Sequence, residues 1–265
     1  DLARRQRQMC IRDSYYSCLE TIDKISDMID SDTPGGYFRF GDGDMNLALG
    51  LSEMLQQSNP QLQVYMSNAL KEKDKNILKG LTLHNKEWDT LEEGMFGGNH
   101  MNSVEWCEEL YNKFKLFVDD DYTEVYSSVA LSHLATQDPV YTANFLKKIK
   151  PKVKYLIGNQ NIPDDIVNSL FGDVTFIRTP SQNSFTQFEE IYDEFVKSAK
   201  DDKDYSIIVT SMGCSGRAMQ KRIWDNYNNV FLFDFGSLMD ALCGDQTRAW
   251  IELTNFDKST ILDLL

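Results

Sequence analysis

The chain has 265 residues, 42% of them hydrophobic, and a formal net charge of −14 at pH 7. This length and apolar content are enough to bury the core of one sizeable domain. The acidic balance argues against nucleic acid or an anionic membrane surface as a partner, because phosphate groups are bound by basic faces.

The first half of the chain is predicted to mix helices with short strands. Residues 1–14 are basic, unlike the sequence after them, and are interpreted as a non-native or disordered leader. Residues 15–265 are taken as one α/β domain. The segments predicted there are a helix from Tyr15 with Cys18, Leu19, Ile22, Ile25, Met28 and Ile29 on its apolar face, a strand at YFRF (37–40), a helix at MNLALGLSEMLQQ (45–57), a strand at LQVYM (62–66), a helix-prone NALKEKDKNILKGL (68–81), a loop at GMFGGNHMNS (94–103), a helix at VEWCEELYNKFKLF (104–117) and a strand or helix at EVYSSVAL (124–131).

The second half alternates regularly between strands and helices. Its predicted strands are VKYLIGN (153–159), DVTFIRTP (173–180), YSIIVTSMG (205–213) and NVFLFDFG (229–236), and its predicted helices are IPDDIVNSLF (162–171), NSFTQFEEIYDEFVKSA (183–199) and SGRAMQKRIWDNY (215–227). Apolar runs without strict alternation indicate strands that are buried on both faces, as in a parallel sheet. The pattern predicts an α/β, Rossmann-like, doubly wound fold with a mostly parallel sheet and helices on both faces.

Cysteine usage and hydropathy bear on the setting of the protein. Five cysteines are scattered without the spacing of a zinc site or a disulfide framework, which indicates reduced thiols and predicts a cytoplasmic setting. No apolar run approaches the roughly 20 residues that a membrane-spanning helix needs. A homo-oligomer is compatible with the sequence.

Ligands of an open parallel sheet gather at the carboxyl ends of its strands. The sequence places five loops there: residues 41–44, 158–161, 179–183, 211–217 and 234–236. Their shared location follows from the predicted fold, so these loops are expected to form one site.

The stretch FGDGD puts Asp42 and Asp44 on a glycine-hinged turn directly after a predicted strand. Two carboxylates at this spacing can turn toward one hard divalent cation, and Mg²⁺ or Mn²⁺ favours such oxygen ligands together with substrate phosphates. The alternative is a tight turn in which an aspartate caps the next helix. The position at the end of a buried strand, just after Arg39, favours the metal hypothesis.

The stretch VTSMGCSGR is a strand, a turn of small residues and a helix start. Backbone N–H groups and the positive end of a helix dipole make such a turn suited to phosphate, and Arg217 would add a charge-assisted hydrogen bond. RTPSQN is another polar strand end, where Thr179 or Asn183 would contact a base, ribose or sugar. Capping of the next helix by Ser181 or Asn183 is the alternative.

Together these segments resemble the GT-D glycosyltransferases, a bacterial family long known as a domain of unknown function. RFGDGD (39–44) is similar to the family's R-F-G-D-G-E, with Asp in place of the final Glu. LIGN, PSQNSF, IIVTSMGCSGRAMQKRIWD and FDFGS are similar to later family segments, in the same order, over about residues 35 to 240. Many relatives carry His after the D-x-G, where this chain has Ser237.

The resemblance implies a nucleotide-sugar donor, commonly a UDP-sugar, and a divalent metal, Mn²⁺ or Mg²⁺, held by Asp42 and Asp44. The acceptor would be a glycan or another hydroxyl compound. Residues assigned to nucleotide-sugar binding are Arg39, Gly41, Gly43, Gly158, Thr179, Asn183, Gly213, Ser215, Gly216 and Arg217. Residues assigned to catalysis are Asp44, Asp234 and Asp240, and the last two are alternative bases for the acceptor hydroxyl.

Two other functional classes stay open at this point. A non-catalytic nucleotide- or sugar-binding module would keep the phosphate loop without needing both carboxylates. A Rossmann-type methyltransferase would bind S-adenosylmethionine without metal, but its glycine-rich turn would normally follow the first strand, with an acidic residue at the end of the next. FGDGD instead carries its carboxylates in the turn itself.

Overall fold

This computed structural model describes residues 16–81, 104–118 and 124–265. The interpretation of residues 1–14 and the loop prediction at residues 94–103 therefore lie outside the described residues. Within these ranges, seven strands form one sheet in the order β3-β2-β1-β7-β6-β4-β5, and every strand pair in it is parallel. The predicted α/β fold is confirmed, and its sheet is parallel throughout the described residues.

The strands and helices have the following bounds. The strands are β1 Gly35–Phe40, β2 Ile77–Leu81, β3 Tyr126–Ser127, β4 Val153–Asn159, β5 Thr175–Thr179, β6 Ser206–Ser211 and β7 Val230–Asp234. The α-helices are α1 Cys18–Asp30, α2 Asp42–Ala48, α3 Pro60–Leu70, α4 Val104–Phe114, α5 Ala130–Gln137, α6 Pro139–Ile149, α7 Asp164–Phe171, α8 Phe188–Ser198, α9 Ser215–Trp224, α10 Leu238–Cys243, α11 Ala249–Leu253 and α12 Ser259–Leu262. Short 3-10 turns at Lys150–Lys152 and Ser184–Gln187 precede β4 and α8.

Two apolar cores lie on the two faces of the sheet. Successive strand residues alternate between them: Tyr37 joins one core and Phe38 the other, as period-2 side-chain geometry requires. The first core is completed by α1, α5, α6, α7, α10, α11 and α12, and the second by α2, α3, α4, α8 and α9. Burial on both faces explains why the strands read as continuous apolar runs.

The first half of the chain departs from the sequence prediction in three places. LQVYM (62–66) is not a strand but the middle of α3, where Asn59 accepts a hydrogen bond from the Leu62 amide (2.8 Å) and Pro60 occupies the first turn. These are strong helix-start signals. Residues 77–81 are not helical but form β2, paired with β1, and the amine of buried Lys79 donates to the Leu70 carbonyl (2.7 Å).

The third departure is the helix predicted at residues 45–57. Only α2 is helical there, and it ends at Ala48, just before Gly50 with φ +82°. A positive φ is natural for glycine and breaks the helix. The remainder of the segment is a loop that runs to Asn59 and lies over the functional site described below.

Smaller outcomes concern α1, the segment EVYSSVAL and the search for membrane-spanning helices. In α1 the predicted apolar face is buried except Leu19, which is 47% exposed. EVYSSVAL divides between the short strand β3 and the start of α5. No helix in the described ranges is both long and apolar enough to cross a membrane, and the cytoplasmic setting stays a prediction.

The strand order brings separate parts of the chain together. The chain moves outward from β1 to β3, resumes at β4 and β5 on the opposite edge, and returns through β6 to β7, which pairs with β1. The carboxyl ends of β1, β7 and β6 therefore meet at the centre of the sheet. Such a reversal of strand order is where α/β proteins form ligand crevices.

Candidate functional site

A pocket of about 570 Å³ opens at this carboxyl edge of the sheet. Of the residues assigned from the sequence, those that line it are Arg39, Gly41, Asp42, Gly43, Asp44, Asn183, Gly213, Ser215, Arg217, Asp234 and Asp240. They come from the ends of β1, β6 and β7, from the loop after β5 and from α10. The expectation that these loops form one site is therefore met by the geometry.

Three assigned residues lie behind the pocket lining. Thr179 is fully buried at the end of β5. A Cβ on Gly158 would come within 3.1 Å of Ile162 Cδ1, and one on Gly216 within 3.3 Å of Met212 Cγ. Both glycines therefore permit close packing under the loops, and neither is in a position to contact a ligand in the pocket directly.

The D-G-D turn forms the start of α2, and its two carboxylates have different surroundings. Asp42 is exposed, whereas Asp44 is 3% exposed and accepts a hydrogen bond from the Gly41 amide (2.8 Å). Burial raises the pKa of Asp44 to about 6, against the lowering effects of Arg217 and the Gly41 amide. Asp44 thus caps the start of α2, which is the alternative to metal binding given in the sequence analysis, while Asp42 remains available to a ligand.

Arg217 forms part of the floor of the pocket, where it joins two carboxylates. Its Nη1 is 2.9 Å from Asp234 Oδ2, and its Nε is 3.3 Å from Asp44 Oδ1. The same guanidinium donates hydrogen bonds to the carbonyls of Gly213 (2.8 Å) and Arg39. Burial lowers the pKa of Arg217, but the Asp234 and Asp44 carboxylates outweigh it and raise that pKa.

This geometry revises the role predicted for Arg217. Its charge is balanced by two buried carboxylates and its donors are directed at protein oxygens, so it is poorly placed to bind a diphosphate. It links the ends of β1, β6 and β7 instead. An ion pair at this depth has to be complete, because a carboxylate left without its partner would keep its full desolvation cost.

Arg39 is the arginine that retains donor capacity toward the pocket. Its Nε is shielded from solvent and has no hydrogen-bond partner among the described residues. Its guanidinium lies directly on Gly236, where an added Cβ would be 1.4 Å from Nη1 and where φ is +64°. The D-x-G sequence therefore needs its glycine to make room for Arg39 and to adopt this turn.

The N-terminus of α9 borders the pocket beside Arg39. Gly213 has φ +66°, and a Cβ there would meet no atom within 4 Å, so the backbone faces open space. The Ser215 hydroxyl is directed inward, toward Ser184 Oγ (2.5 Å) and the Met212 carbonyl (3.1 Å). Amides of a first helical turn have no intrahelical acceptor and suit an anion.

Two further residues of the prediction have structural contacts. Asn183 has φ +50°, and its Oδ1 accepts from the Gln57 amide (2.8 Å) while its own amide donates to the Leu55 carbonyl (2.8 Å). It therefore holds the loop after α2. Asp234 is 2% exposed and accepts from the Gly236 amide (2.9 Å) in addition to its pair with Arg217.

Asp240 projects from α10 at the other side of the pocket. Burial raises its pKa, although the hydrogen bond donated by the Thr247 hydroxyl (2.6 Å) and the charge of Arg248 act in the opposite direction. Ser237, which stands where many relatives of the resembled family have His, accepts from the Trp250 indole N–H (3.0 Å). Its hydroxyl is therefore already engaged by the C-terminal segment.

Two charged residues of the pocket lining, Glu53 and Arg248, are not among the residues assigned from the sequence. Glu53 lies in a segment that was predicted to be helical, where an acidic residue normally indicates a solvent-exposed position. Arg248 follows the last segment that carried the resemblance, and it is exposed at the rim of the pocket. Only the closure of these loops over the sheet edge would have identified either residue.

The donor set at the D-G-D turn bears on the implied metal. Within the described ranges, no group of three His, Cys, Asp or Glu side chains has the geometry of a metal site. Mg²⁺ typically takes only one or two protein carboxylates and completes its shell with water and substrate phosphates. Exposed Asp42 fits that pattern, whereas Asp44 faces the Arg217 cation and fits it less well.

Comparison with solved structures identifies the same architecture elsewhere. A structure described as "A New Glycosyltransferase (DUF1792) from Streptococcus sanguinis" aligns with a TM-score of 0.60 and 19% identity, over 86% of this chain and 82% of that one. A selenomethionine-substituted structure of domain of unknown function 1792 aligns with a TM-score of 0.60 and 20% identity, over 86% of this chain and 79% of that one. At these identities the likeness establishes the fold alone.

Comparison of the sequence with family models is more specific. No curated protein matches the chain. A family model described as "Glycosyltransferase GT-D fold" matches residues 37–238, which is well over half of the chain and spans every loop of the pocket from the D-G-D turn to the D-x-G turn. The chain therefore belongs to the GT-D fold family of glycosyltransferases.

Proposed function

We propose that this glycosyltransferase takes its sugar from a UDP-sugar and transfers it to a hydroxyl of a glycan or glycoconjugate, with Mn²⁺ or Mg²⁺ at the diphosphate. The observation that carries the proposal concerns Arg39, whose Nε has no hydrogen-bond partner within the described part of the chain, in a pocket that is also lined by exposed Asp42 and the start of α9. An anion would accept hydrogen bonds from Arg39 and from the α9 amides, and a cation would bind the Asp42 carboxylate.

The diphosphate would lie between Arg39 and the Gly213–Ser215 turn. Arg39 supplies a charged donor, and the turn supplies backbone amides at the positive end of a ten-residue helix. Arg248 adds a second positive charge at the rim. Although the whole chain is strongly acidic, these groups act locally, because salt screens distant charges within about 10 Å.

Asp42 is the carboxylate proposed to hold the divalent cation, together with donor phosphate oxygens. A cation bound there would neutralise negative charge on the departing nucleoside diphosphate. Asp44 has a structural role. It accepts a hydrogen bond from the Gly41 amide and pairs with Arg217, and these contacts fix the backbone of the turn that presents Asp42.

Asp240 is the stronger of the two proposed bases. Asp234 is buried and has one oxygen on the Gly236 amide and the other beside Arg217, so neither faces an acceptor hydroxyl freely. Asp240 lines the pocket, is only partly buried, and has a raised pKa, which brings a carboxylate nearer to the range useful for proton transfer.

Calorimetric titration of UDP tests the metal and nucleotide parts together. We expect UDP to bind the full chain in Mn²⁺ and to lose at least about tenfold in affinity in EDTA, as loss of a metal-site contact typically costs. Asp42→Asn should cause a similar loss in Mn²⁺. The control is Asp193→Asn, an exposed aspartate on α8, which should bind UDP as the wild type does.

Two results would contradict the proposal in different ways. UDP affinity that is indifferent to EDTA and to Asp42→Asn would remove the metal from the diphosphate site. Absence of UDP binding by the wild type in Mn²⁺ would remove the UDP-sugar donor.

A further inference from the structure

The loop between α2 and α3 forms one wall of the pocket and is held from below. The Asn183 side chain accepts from the Gln57 amide, and the Gln56 side chain, which is 5% exposed, accepts from the Phe185 amide (3.1 Å). Inside the loop, the Glu53 amide donates to the Gln56 carbonyl (3.0 Å). These bonds fix the position at which the loop presents Glu53.

Glu53 lines the pocket beside the D-G-D turn. Its Cβ and Cγ lie 3.5 Å from where a Cβ on Gly43 would be. One carboxylate oxygen, Oε2, accepts from the Leu55 amide (3.0 Å). The other, Oε1, is shielded from solvent and has no hydrogen-bond partner in the parts of the chain that the structure describes.

A carboxylate oxygen that is shielded from water and unpartnered is costly in the free protein, and a ligand that brings a donor removes that cost. Oε1 is an acceptor, so the matching ligand group is a hydrogen-bond donor such as a hydroxyl, or a cation. Asp42 already supplies the carboxylate proposed for the cation, so a hydroxyl is taken as the complement of Oε1, and the test below separates the two.

We propose that Glu53 determines donor specificity by accepting a hydrogen bond from a hydroxyl of the donor sugar. The inference rests on the proposed function, in which the diphosphate lies between Arg39 and the Gly213–Ser215 turn. Gly43 packs against that turn, because a Cβ on Gly43 would be 3.2 Å from Cys214 Sγ, so the sugar attached to the diphosphate would fall within reach of Glu53. The donor sugar is accordingly a neutral hexose with a free hydroxyl at this position. A uronic acid would bring a second carboxylate to the same wall and be repelled.

The test compares UDP with UDP-sugars on the wild type and on Glu53→Gln. The glutamine oxygen can keep the Leu55 hydrogen bond, while its NH₂ replaces the free acceptor, so the loop should keep its fold. Glu190→Gln on α8, an exposed position, is the matched control. UDP, UDP-glucose, UDP-galactose and UDP-N-acetylglucosamine are titrated in Mn²⁺, and melting temperatures confirm folding.

For the wild type we expect one neutral UDP-hexose to bind more tightly than UDP. Glu53→Gln should leave the affinity for UDP within about twofold and reduce the affinity for that hexose by about tenfold or more, as expected for a charge-assisted hydrogen bond. Deoxyfluoro analogues of the hexose, which cannot donate, locate the hydroxyl: one position should weaken binding to the wild type and have no further effect in Glu53→Gln.

The failures can be told apart. Normal UDP and UDP-hexose binding by Glu53→Gln would overturn the role of Glu53 and leave the proposed function intact. Loss of UDP and Mn²⁺ affinity in Glu53→Gln would overturn it in favour of a metal ligand. A wild type that binds no UDP would reject the proposed function and this inference with it.

Discussion

At the scale of single residues, Arg217 is the centre of the site's electrostatics. It neutralises Asp44 and Asp234 and binds two backbone carbonyls, so one guanidinium joins three strand ends. Arg39 lines the pocket and has the complementary property of a donor, Nε, with no hydrogen-bond partner in the ranges that the structure describes. The chain thus uses one arginine to build the site and leaves another for a ligand.

Replacing Arg217 by methionine tests this structural part. The substitution leaves two buried carboxylates without their cation, so we expect the free energy of unfolding to fall by about 3–5 kcal/mol. Urea denaturation followed by circular dichroism measures the change. Lys197→Met, an exposed site on α8, should stay within about 0.5 kcal/mol of the wild type; an equally small effect at Arg217 would contradict the buried network.

At the scale of elements, the loop from Leu49 to Asn59 is the part that the sequence misassigned and that the site depends on. It has little secondary structure. Its conformation is fixed largely by two hydrogen bonds, one accepted by Asn183 from the Gln57 amide of the loop and one accepted by Gln56 of the loop from the Phe185 amide. The segment PSQNSF therefore acts on the pocket through the loop that it holds, rather than only by facing the ligand.

Three substitutions of Asn183 separate its hydrogen bond from its backbone conformation. Asn183→Asp keeps an acceptor for the Gln57 amide and tolerates φ +50°, so we expect it to stay near wild-type stability. Asn183→Gly keeps only the backbone conformation and should lose about 1 kcal/mol. Asn183→Ala loses both and should be the least stable, by about 2 kcal/mol in total.

Urea denaturation of the three variants gives the order, and limited proteolysis reports whether the loop opens. Wild-type stability of Asn183→Ala, or a loss in Asn183→Asp as large as that in Asn183→Ala, would contradict the role of Asn183 in holding the loop.

At the scale of the whole molecule, the net charge of −14 opposes compaction. Most described ion pairs have at least one exposed partner and contribute little, as with Lys148–Asp30 and Arg178–Asp164. Self-repulsion of the excess carboxylates should therefore be the larger salt-sensitive effect.

The consequence is a protein that salt stabilises. Raising NaCl from about 0.02 M to 0.2 M shortens the screening length severalfold, and we expect the melting temperature at neutral pH to rise by about 2–4 °C, equivalent to roughly 1 kcal/mol. Differential scanning calorimetry measures it. At about pH 5, where some carboxylates are protonated, the rise should shrink; a fall with salt at neutral pH would mean that ion pairs dominate.

The family assignment also decides between the functional classes left open by the sequence. A match to a glycosyltransferase family over residues 37–238 removes the methyltransferase and the non-catalytic module as readings of the chain. UDP, the metal and the acceptor remain the proposals argued above, each tied to residues that can be changed one at a time.

The sequence by itself determined the parallel α/β sheet, because strands buried on both faces need continuous apolar runs, as in VKYLIGN and NVFLFDFG. It also determined which loops lie at one edge, since parallel strands end on the same side. It misassigned LQVYM and ILKGL, whose short apolar patterns suit a helix or a strand equally well until capping and pairing with β1 decide between them.

Only the tertiary structure decided what each side chain in the site contacts. Arg217 meets Asp44 and Asp234 because β7 lies beside β1, although the first paired residues of the two strands, Gly35 and Phe231, are 196 positions apart along the chain. Glu53 reaches Gly43 because the loop after α2 closes over the sheet edge. Strand order and loop closure are set by the packing of the whole chain, and no local pattern encodes them.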